Sequence, residues 1–375
     1  MSSRFWPNPR VSSAAVAPPG DGPRDLHRRL PGYAPTPLLD LPAPAAATGV
    51  GRVVVKAEVE RFGLPSFKVL GASWATYRLL GERLGGDGEP SWATVDELAA
   101  LVARELGPLR LVAATDGNHG RAVAHMARLL GLSATILVPE GTAAARIDGI
   151  AGEGADVEVV DGTYDDAVAA SAELAGDRTL VVSDTSWPGY QDAPRWVIEG
   201  YSTIFAELAE QLPALGLDRV DVVMVPVGVG ALAAAATTAL PDGPALIGVE
   251  PETAACVLAA VEAGEVVEVP GPHRSIMAGL NCGLASPLAL PAIIAGFAGF
   301  VAVDDDRARG AVRALATGGL DVGETGAAAL AGLTALADDH PESGLLTPDT
   351  TVLLLATEGV TDPANFEQIV GRPPT

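Results

Sequence analysis

The sequence predicts an α/β fold of two open parallel-sheet α/β domains with a cleft between them. Three observations carry that expectation. From about residue 109, short apolar runs alternate with segments of helical spacing; a second alternation of the same kind begins at residue 220; and a Trp- and Pro-containing segment, 184–200, joins the two. Strands that alternate with helices build a parallel sheet covered on both faces. The expected division is a large domain of residues 1–80 and 190–375 and a smaller α/β domain of residues 81–189.

In the first series "LRLVAAT" (109–115) reads as a buried strand. "GRAVAHMARLLG" follows, with apolar residues at 123, 126, 127 and 130, the spacing of one helix face. Strand "ATILVPE", a helix through "AARIDGIAGEG", strand "VEVVDG", helix "YDDAVAASAELAG" and strand "TLVVSDTS" complete it. The second series opens with strand "VDVVMVPVG" (220–228) and helix "ALAAAATTAL". Strand "ALIGVEP", helix "TAACVLAAVEAG", strand "GFVAVDDD" and helix "RARGAVRALAT" come next, and helix "AAALAGLTALADD" and strand "TTVLLLAT" close it.

At 375 residues, 48% of them apolar, the chain can bury a large core and suggests two domains. Its net charge of −23 repels phosphate backbones and anionic membrane surfaces, so neither nucleic acid nor membrane is an expected partner. Solubility is the plainer reading of that charge. The first 24 residues are Pro- and Ser-rich, do not read as a signal peptide, and are expected to form a loosely ordered arm. Two long uncharged runs, 222–240 and 280–303, are interrupted by prolines and glycines and read as strand–loop–helix and loop–helix segments rather than spans. A cytoplasmic location is the expectation. The two cysteines, Cys256 and Cys282, are expected to be reduced and buried, with a disulfide left open; the five histidines form no ligand pair, and no metal site is expected.

The chemistry starts at "ERFGLPSFKVLGA" (60–72), where Lys68 stands among Phe67, Val69 and Leu70. An amine held among apolar groups loses hydration and its pKa falls, which suits a Schiff-base nucleophile. A snorkelling surface lysine is the competing account. Three glycine-rich turns at strand ends join it. In "ATDGNHGRA" (114–122) a polar turn opens a helix, and its free N–H groups suit a carboxylate or phosphate, although Asp and Asn also serve as simple caps. In "PVGVGALAAAA" (226–236) Gly228 and Gly230 allow close backbone approach to a phosphate. The same stretch, with Glu250 about twenty residues on, also matches a dinucleotide fingerprint, so a nicotinamide dehydrogenase stays open. In "LLLATEGVTDP" (353–363) a strand delivers Thr357 and Glu358. An amine, an amide-bearing turn, a phosphate loop and a late hydroxyl are together the parts that pyridoxal phosphate needs.

Here the chain resembles a known family. "YAPTPLLDLP", "SFKVLGA", "TDGNHGRAVA", "GVGALAAA", "GVEPETAAC" and "ATEGVTDP" occur in the order of the tryptophan synthase β-like pyridoxal phosphate enzymes. "RFGLPSFKVLG", "SDTSWPGY" (183–190) and "IMAGLNCG" (276–283) resemble the diaminopropionate ammonia-lyases within them. The likeness runs from about 33 to 363, with Pro65-Ser66 where Asn-Ala is usual and Ala72 where glycine is usual.

The resemblance implies a large domain that binds pyridoxal 5′-phosphate and roles for matching positions. Lys68 would carry the cofactor as a Schiff base, Asn118 would contact the ring oxygen, and Val227, Gly228, Val229, Gly230 and Ala231 would cradle the phosphate. Thr357 would face the ring nitrogen, with Glu358 as the competing candidate. Asp116 and Asp184 would act as bases on the two enantiomers, and Thr115, Asp116, Gly117 and His119 would line the substrate. Related dehydratases usually carry a hydroxyl residue where Asp116 stands. A carboxylate beside the substrate carboxylate is costly unless a cation compensates, and the β-ammonium of 2,3-diaminopropionate supplies one. The implied reaction is α,β-elimination to pyruvate and two ammonia by a cytoplasmic homodimer. The alternatives are a serine/threonine dehydratase-like or β-replacement enzyme on the same cofactor, the dehydrogenase, and a catalytically silent binding protein on this scaffold.

Overall fold

The computed structural model describes residues 3–12, 20–85, 92–115, 117–240 and 243–375. Asp116 lies outside the described residues. The chain divides into two compact units, one of Met1–Pro18, Pro35–Glu60 and Ile204–Thr375, the other of Pro19–Ala34 and Arg61–Thr203. Elements are numbered along the whole chain.

The first unit holds a seven-stranded sheet. Its strands are β1 (Arg4–Pro7), β2 (Leu38–Asp40), β3 (Arg52–Ala57), β8 (Val222–Pro226), β9 (Ala245–Pro251), β10 (Phe297–Val303) and β11 (Thr351–Ala356), in the order β1-β10-β9-β8-β11-β3-β2. The five central strands are parallel and the two edge strands antiparallel. The central strands are near-continuous apolar runs because both faces are covered. The helices are α2 (Pro42–Thr48), α9 (Ser202–Gln211), α10 (Ala231–Ala239), α11 (Cys256–Ala263), α12 (Leu290–Gly296), α13 (Asp305–Thr317), α14 (Glu324–Asp339) and α15 (Pro363–Val370). Alanine-rich α14 lies on β8 to β11 and packs closely, with no room for a Cβ at Gly332 against Val249.

The N-terminal segment corrects one expectation. Residues 4–7 are not a loose arm but β1, paired antiparallel with β10 through Phe5↔Val301 and Trp6↔Phe300. Two aromatic residues in a row favour a strand wherever a sheet edge is open to them. Ser3 ties the same end down, its N–H and hydroxyl both donating to Asp339 Oδ2 at 2.7 Å.

The second unit holds a four-stranded, all-parallel sheet of β4 (Arg110–Ala114), β5 (Ser133–Pro139), β6 (Asp156–Val160) and β7 (Thr179–Val181), in the order β6-β5-β4-β7. Its helices are α1 (Gly22–Arg29), α3 (Lys68–Arg83), α4 (Val95–Glu105), α5 (Asn118–Leu129), α6 (Ala144–Ala151), α7 (Tyr164–Glu173) and α8 (Asp192–Gly200). The expected cut at 80/81 and 189/190 differs from this division. Helix α3 packs on α5 and α8, so residues 61–80 and 190–203 travel with the small sheet. The contact is close: a Cβ on Gly200 would stand 2.4 Å from Leu70 O. No helix of the described residues is long and apolar enough to cross a membrane.

Each sheet has one place where the strand order reverses. In the large sheet β8 continues to β9 and β10 on one side, and β11 and β3 lie on the other; in the small sheet β4 continues to β5 and β6, with β7 on the other side. Loops that leave adjacent strands at such a reversal diverge and open a crevice at the carboxyl ends. Residues 115, 117 and 118, the segment at 182–184, the loop at 227–230 and residue 357 all stand at such ends.

Candidate functional site

In the four-stranded unit the sequence-predicted amine finds a carboxylate. Lys68 is the first residue of α3, and its Nζ donates to Asp184 Oδ2 at 2.6 Å. The lysine side chain is 21% exposed and the aspartate 5%, so the amine keeps an opening while the carboxylate does not. Burial pushes Asp184 up, but the Lys68 ammonium beside it and hydrogen bonds from Lys68 and Tyr164 outweigh it, and the carboxyl is held well below the usual carboxylate range.

Residue 184 is fixed by side chains that the sequence did not single out. Tyr190 Oη donates to Val181 O at 2.7 Å and accepts from Ser183 N at 3.1 Å, clamping the strand end just before it. The Tyr190 ring stacks on Trp187 with centroids 4.1 Å apart. Tyr164, the first residue of α7, donates to Asp184 Oδ1 at 3.0 Å. His27 acts at the other partner: its Nε2 donates to Leu70 O at 2.9 Å, in the first turn of α3, and its Nδ1 accepts from Thr203 Oγ1 at 2.7 Å. Tyr164 in "DGTYDDAV" reads as an ordinary helix start, so only its bond reveals it.

The polar turn stands beside this pair. Gly117 N donates to Thr115 Oγ1 at 2.9 Å, and Gly117 has φ 150° and ψ −75°, a conformation that needs glycine. Asn118 and His119 open α5. His119 Nε2 lies 2.7 Å from Val182 O and must donate, since a carbonyl only accepts; this fixes the tautomer and leaves Nδ1 as a bare acceptor. That Nδ1 is buried with no partner among the described residues. Burial lowers the His119 pKa, as does Lys68, against the pull of Asp184, so the ring is neutral.

The seven-stranded unit carries the other predicted residues. Residues 227–230 connect β8 to α10, and Val227 N donates to Val249 O at 2.9 Å. Gly230 caps α10 at φ 106°, and the first N–H the helix itself uses is that of Ala234, bonded to Gly230 O at 2.9 Å. The N–H groups of Ala231, Leu232 and Ala233 are therefore outside the helix ladder, at its positive end. A Cβ on Gly228 would stand a tight 3.1 Å from Gly279 O, and one on Gly230 2.6 Å from Ile293 Cδ1 in a left-handed conformation that favours glycine. Thr357, after the adjacent strand β11, is buried and donates to Thr325 O at 3.3 Å, which leaves its oxygen as an acceptor. In this unit a backbone anion cradle and a buried hydroxyl acceptor suit a phosphate and a pyridinium nitrogen, and in the four-stranded unit a partly buried amine suits an aldehyde.

Two acidic candidates are engaged elsewhere. Glu358 Oε1 accepts from Thr325 N at 3.1 Å and so caps α14, which favours Thr357 for the role the two shared. Glu250 is fully buried and accepts from Val257 N at 2.8 Å and Leu258 N at 2.7 Å at the start of α11; burial pushes it up to about 8 against those two bonds. A residue so placed cannot grip a ribose, which removes the acidic half of the dinucleotide fingerprint. Both cysteines are buried free thiols, and Cys256 Sγ lies 3.7 Å from Gly228 O.

Known proteins agree with this chemistry. The family profile described as "Pyridoxal-phosphate dependent enzyme" matches residues 29–358. Diaminopropionate ammonia-lyase of Escherichia coli (strain K12) is 35% identical over 364 residues, covering 92% of this chain and 90% of that one. The crystal structure of the E. coli enzyme in complex with D-serine is similar at a TM-score of 0.89 and 32% identity, over 99% of this chain and 97% of that one. The structure of the same enzyme in complex with an aminoacrylate-PLP azomethine reaction intermediate gives a TM-score of 0.86 and 32% identity over the same shares. By sequence over nearly its whole length and by fold, the chain belongs to the pyridoxal-phosphate dependent enzymes and, within them, to the diaminopropionate ammonia-lyase family.

Proposed function

We propose that this chain eliminates the β-amino group of D- or L-2,3-diaminopropionate and that the product hydrolyses, so that one diaminopropionate and one water give one pyruvate and two ammonia. The observation that carries the reading is the 2.6 Å contact between Lys68 Nζ and Asp184 Oδ2 in a chain of this family. Lys68 would hold the cofactor aldehyde, residues 227–231 its phosphate, Asn118 its ring oxygen and Thr357 its ring nitrogen. Pyridoxal phosphate, when bound, supplies an electron sink for the carbanion at Cα.

The residues divide the remaining work. Asp184 is anionic and can only accept a proton, so it serves as a base at Cα and not as an acid. The Lys68 ammonium is the first of the charges that weaken it as a base; with Lys68 uncharged, Asp184 becomes stronger. A carboxylate within hydrogen-bond reach of the proton contributes roughly 10²–10⁴-fold as a general base. Asp116 would be the corresponding base for the other enantiomer, and its charge suits a substrate with a β-ammonium. Thr115, Gly117 and His119 would line the substrate. His119 holds no proton at Nδ1 and therefore offers an acceptor rather than a charge.

A dehydratase or β-replacement reaction on serine, threonine or O-acetylserine is the second reading, and the charge at position 116 favours the diamine over it. The test is turnover of D- and L-diaminopropionate against those amino acids by the purified protein with pyridoxal phosphate. Two ammonia per pyruvate from the diamine supports the proposal; turnover of the hydroxy amino acids alone sinks it. Reduction with borohydride should add a pyridoxyl mass to the peptide containing Lys68. A homodimer in the cytoplasm belongs to the same proposal on family grounds, and sedimentation equilibrium checks the dimer.

A further inference from the structure

We infer that Tyr164 is a positioning residue that decides which oxygen of Asp184 takes the substrate proton, and thereby sets the relative rates of the two enantiomers. The inference rests on the ammonia-lyase reading above.

The two carboxylate oxygens of Asp184 have different partners. Oδ1 accepts from Tyr164 Oη at 3.0 Å and Oδ2 from Lys68 Nζ at 2.6 Å. The carboxylate torsion of an aspartate is broad and roughly two-fold, so an unrestrained group presents either oxygen. A fixed donor on one oxygen removes that freedom. Tyr164 is such a donor. It is 8% exposed and begins α7, whose first turn is locked by a reciprocal cap. Thr163 N donates to Asp166 Oδ2 at 2.7 Å, and Asp166 N donates to Thr163 Oγ1 at 3.3 Å. The phenol therefore approaches from an element independent of α3.

Among the described residues, the groups that act on Asp184 are Lys68 from α3, His119 from α5 and Tyr164 from α7, and the Tyr190 and Tyr201 phenols feel its charge. His119 is committed through Nε2 to Val182 O, and Tyr190 to Val181 O. Only Tyr164 and Lys68 bond the carboxylate itself among the described residues. When Lys68 Nζ no longer donates to it, Oδ2 is the oxygen left without a donor. A Cα–H bond then breaks toward Oδ2, the O–H bond forms there, and the electron pair stays on the substrate carbon. The phenol keeps Oδ1 out of that exchange and holds Oδ2 toward one face.

The test is a cycle of Tyr164→Phe, Asp184→Asn and the double variant, with kcat/KM measured separately for D- and L-diaminopropionate. Tyr164→Phe should lower the enantiomer that Asp184→Asn disables by about 10- to 100-fold, as expected for a hydrogen bond to a charged group, and leave the other within about threefold. In the Asp184→Asn background it should add no further change to the enantiomer ratio. Equal losses on both enantiomers, or the same loss in that background, overturn the inference. A second readout needs no substrate. In cofactor-free protein, competitive acylation across pH reports the titration midpoint of the Lys68 amine. Tyr164→Phe should raise it, because a carboxylate that no longer shares its charge with a phenol holds the ammonium proton more tightly; 3-fluorotyrosine at 164, a stronger donor, should lower it. An unmoved midpoint in both overturns the inference, even for a protein that turns over neither enantiomer, the result that would instead sink the ammonia-lyase reading.

Discussion

Lys68 and Asp184 meet through a 2.6 Å contact that spans 116 residues of sequence. The amine arrives on the first turn of α3 and the carboxylate just past the end of β7, so the pair depends on the packing of α3 against the small sheet. Replacing Asp184 with Asn keeps the shape and removes the proposed base. We expect kcat/KM for one enantiomer of diaminopropionate to fall by roughly 10²–10⁴-fold while the other changes far less. Steady-state assays on the separate isomers check it, and equal loss on both contradicts a two-base division.

Gly230→Ala tests the phosphate cradle. The residue has φ 106°, and a Cβ would press on Ile293 Cδ1 at 2.6 Å. A left-handed conformation costs a residue with a side chain about 1–2 kcal/mol, and the displaced loop should cost more. The expected outcome is a weaker affinity for pyridoxal phosphate, measured by fluorescence titration, together with a lower unfolding midpoint in urea.

Glu250 makes stability depend on pH. Its folded-state pKa is raised by burial from the ordinary 4.5 to about 8, so the stability it contributes is complete below 4.5 and is lost as pH rises through about 8. Urea midpoints should therefore decline from about pH 4.5 to about pH 8 and level off above it. Glu250→Gln, which cannot ionise, should flatten that decline.

Lys56 and Glu207 form a second charged pair with no contact to solvent. Lys56 Nζ donates to Glu207 Oε2 at 2.7 Å, Gln211 Oε1 at 2.9 Å and Thr36 O at 2.8 Å, which ties β3 to α9. Lys56→Met takes the cation away from buried Glu207, which keeps the N–H of Thr36 at 3.3 Å, so a loss of about 3–5 kcal/mol is expected in denaturant melts. Lys56→Met with Glu207→Leu should recover much of it, because removing both charges removes the burial penalty.

The residues proposed to carry the reaction were legible because each has a local signature. An amine among apolar neighbours, glycines after a strand and a polar turn before a helix announce themselves within about ten residues. The alternation of short apolar runs with helical spacing likewise revealed β4 to β11 in order, since burial on both faces imposes it, whereas β2 and β3 lie outside that alternation. What lay beyond the sequence was partner choice. Glu250 completes a fingerprint on paper but is spent on the first turn of α11, and Glu358 is spent on α14. Tyr164 looks like a helix start and holds a carboxylate twenty residues away. The edge strand β1 looked loose because its partner, β10, lies almost 300 residues further on. Period and composition act along the chain and can be read from it; hydrogen bonds to buried charge depend on angstrom distances that only the packed chain sets.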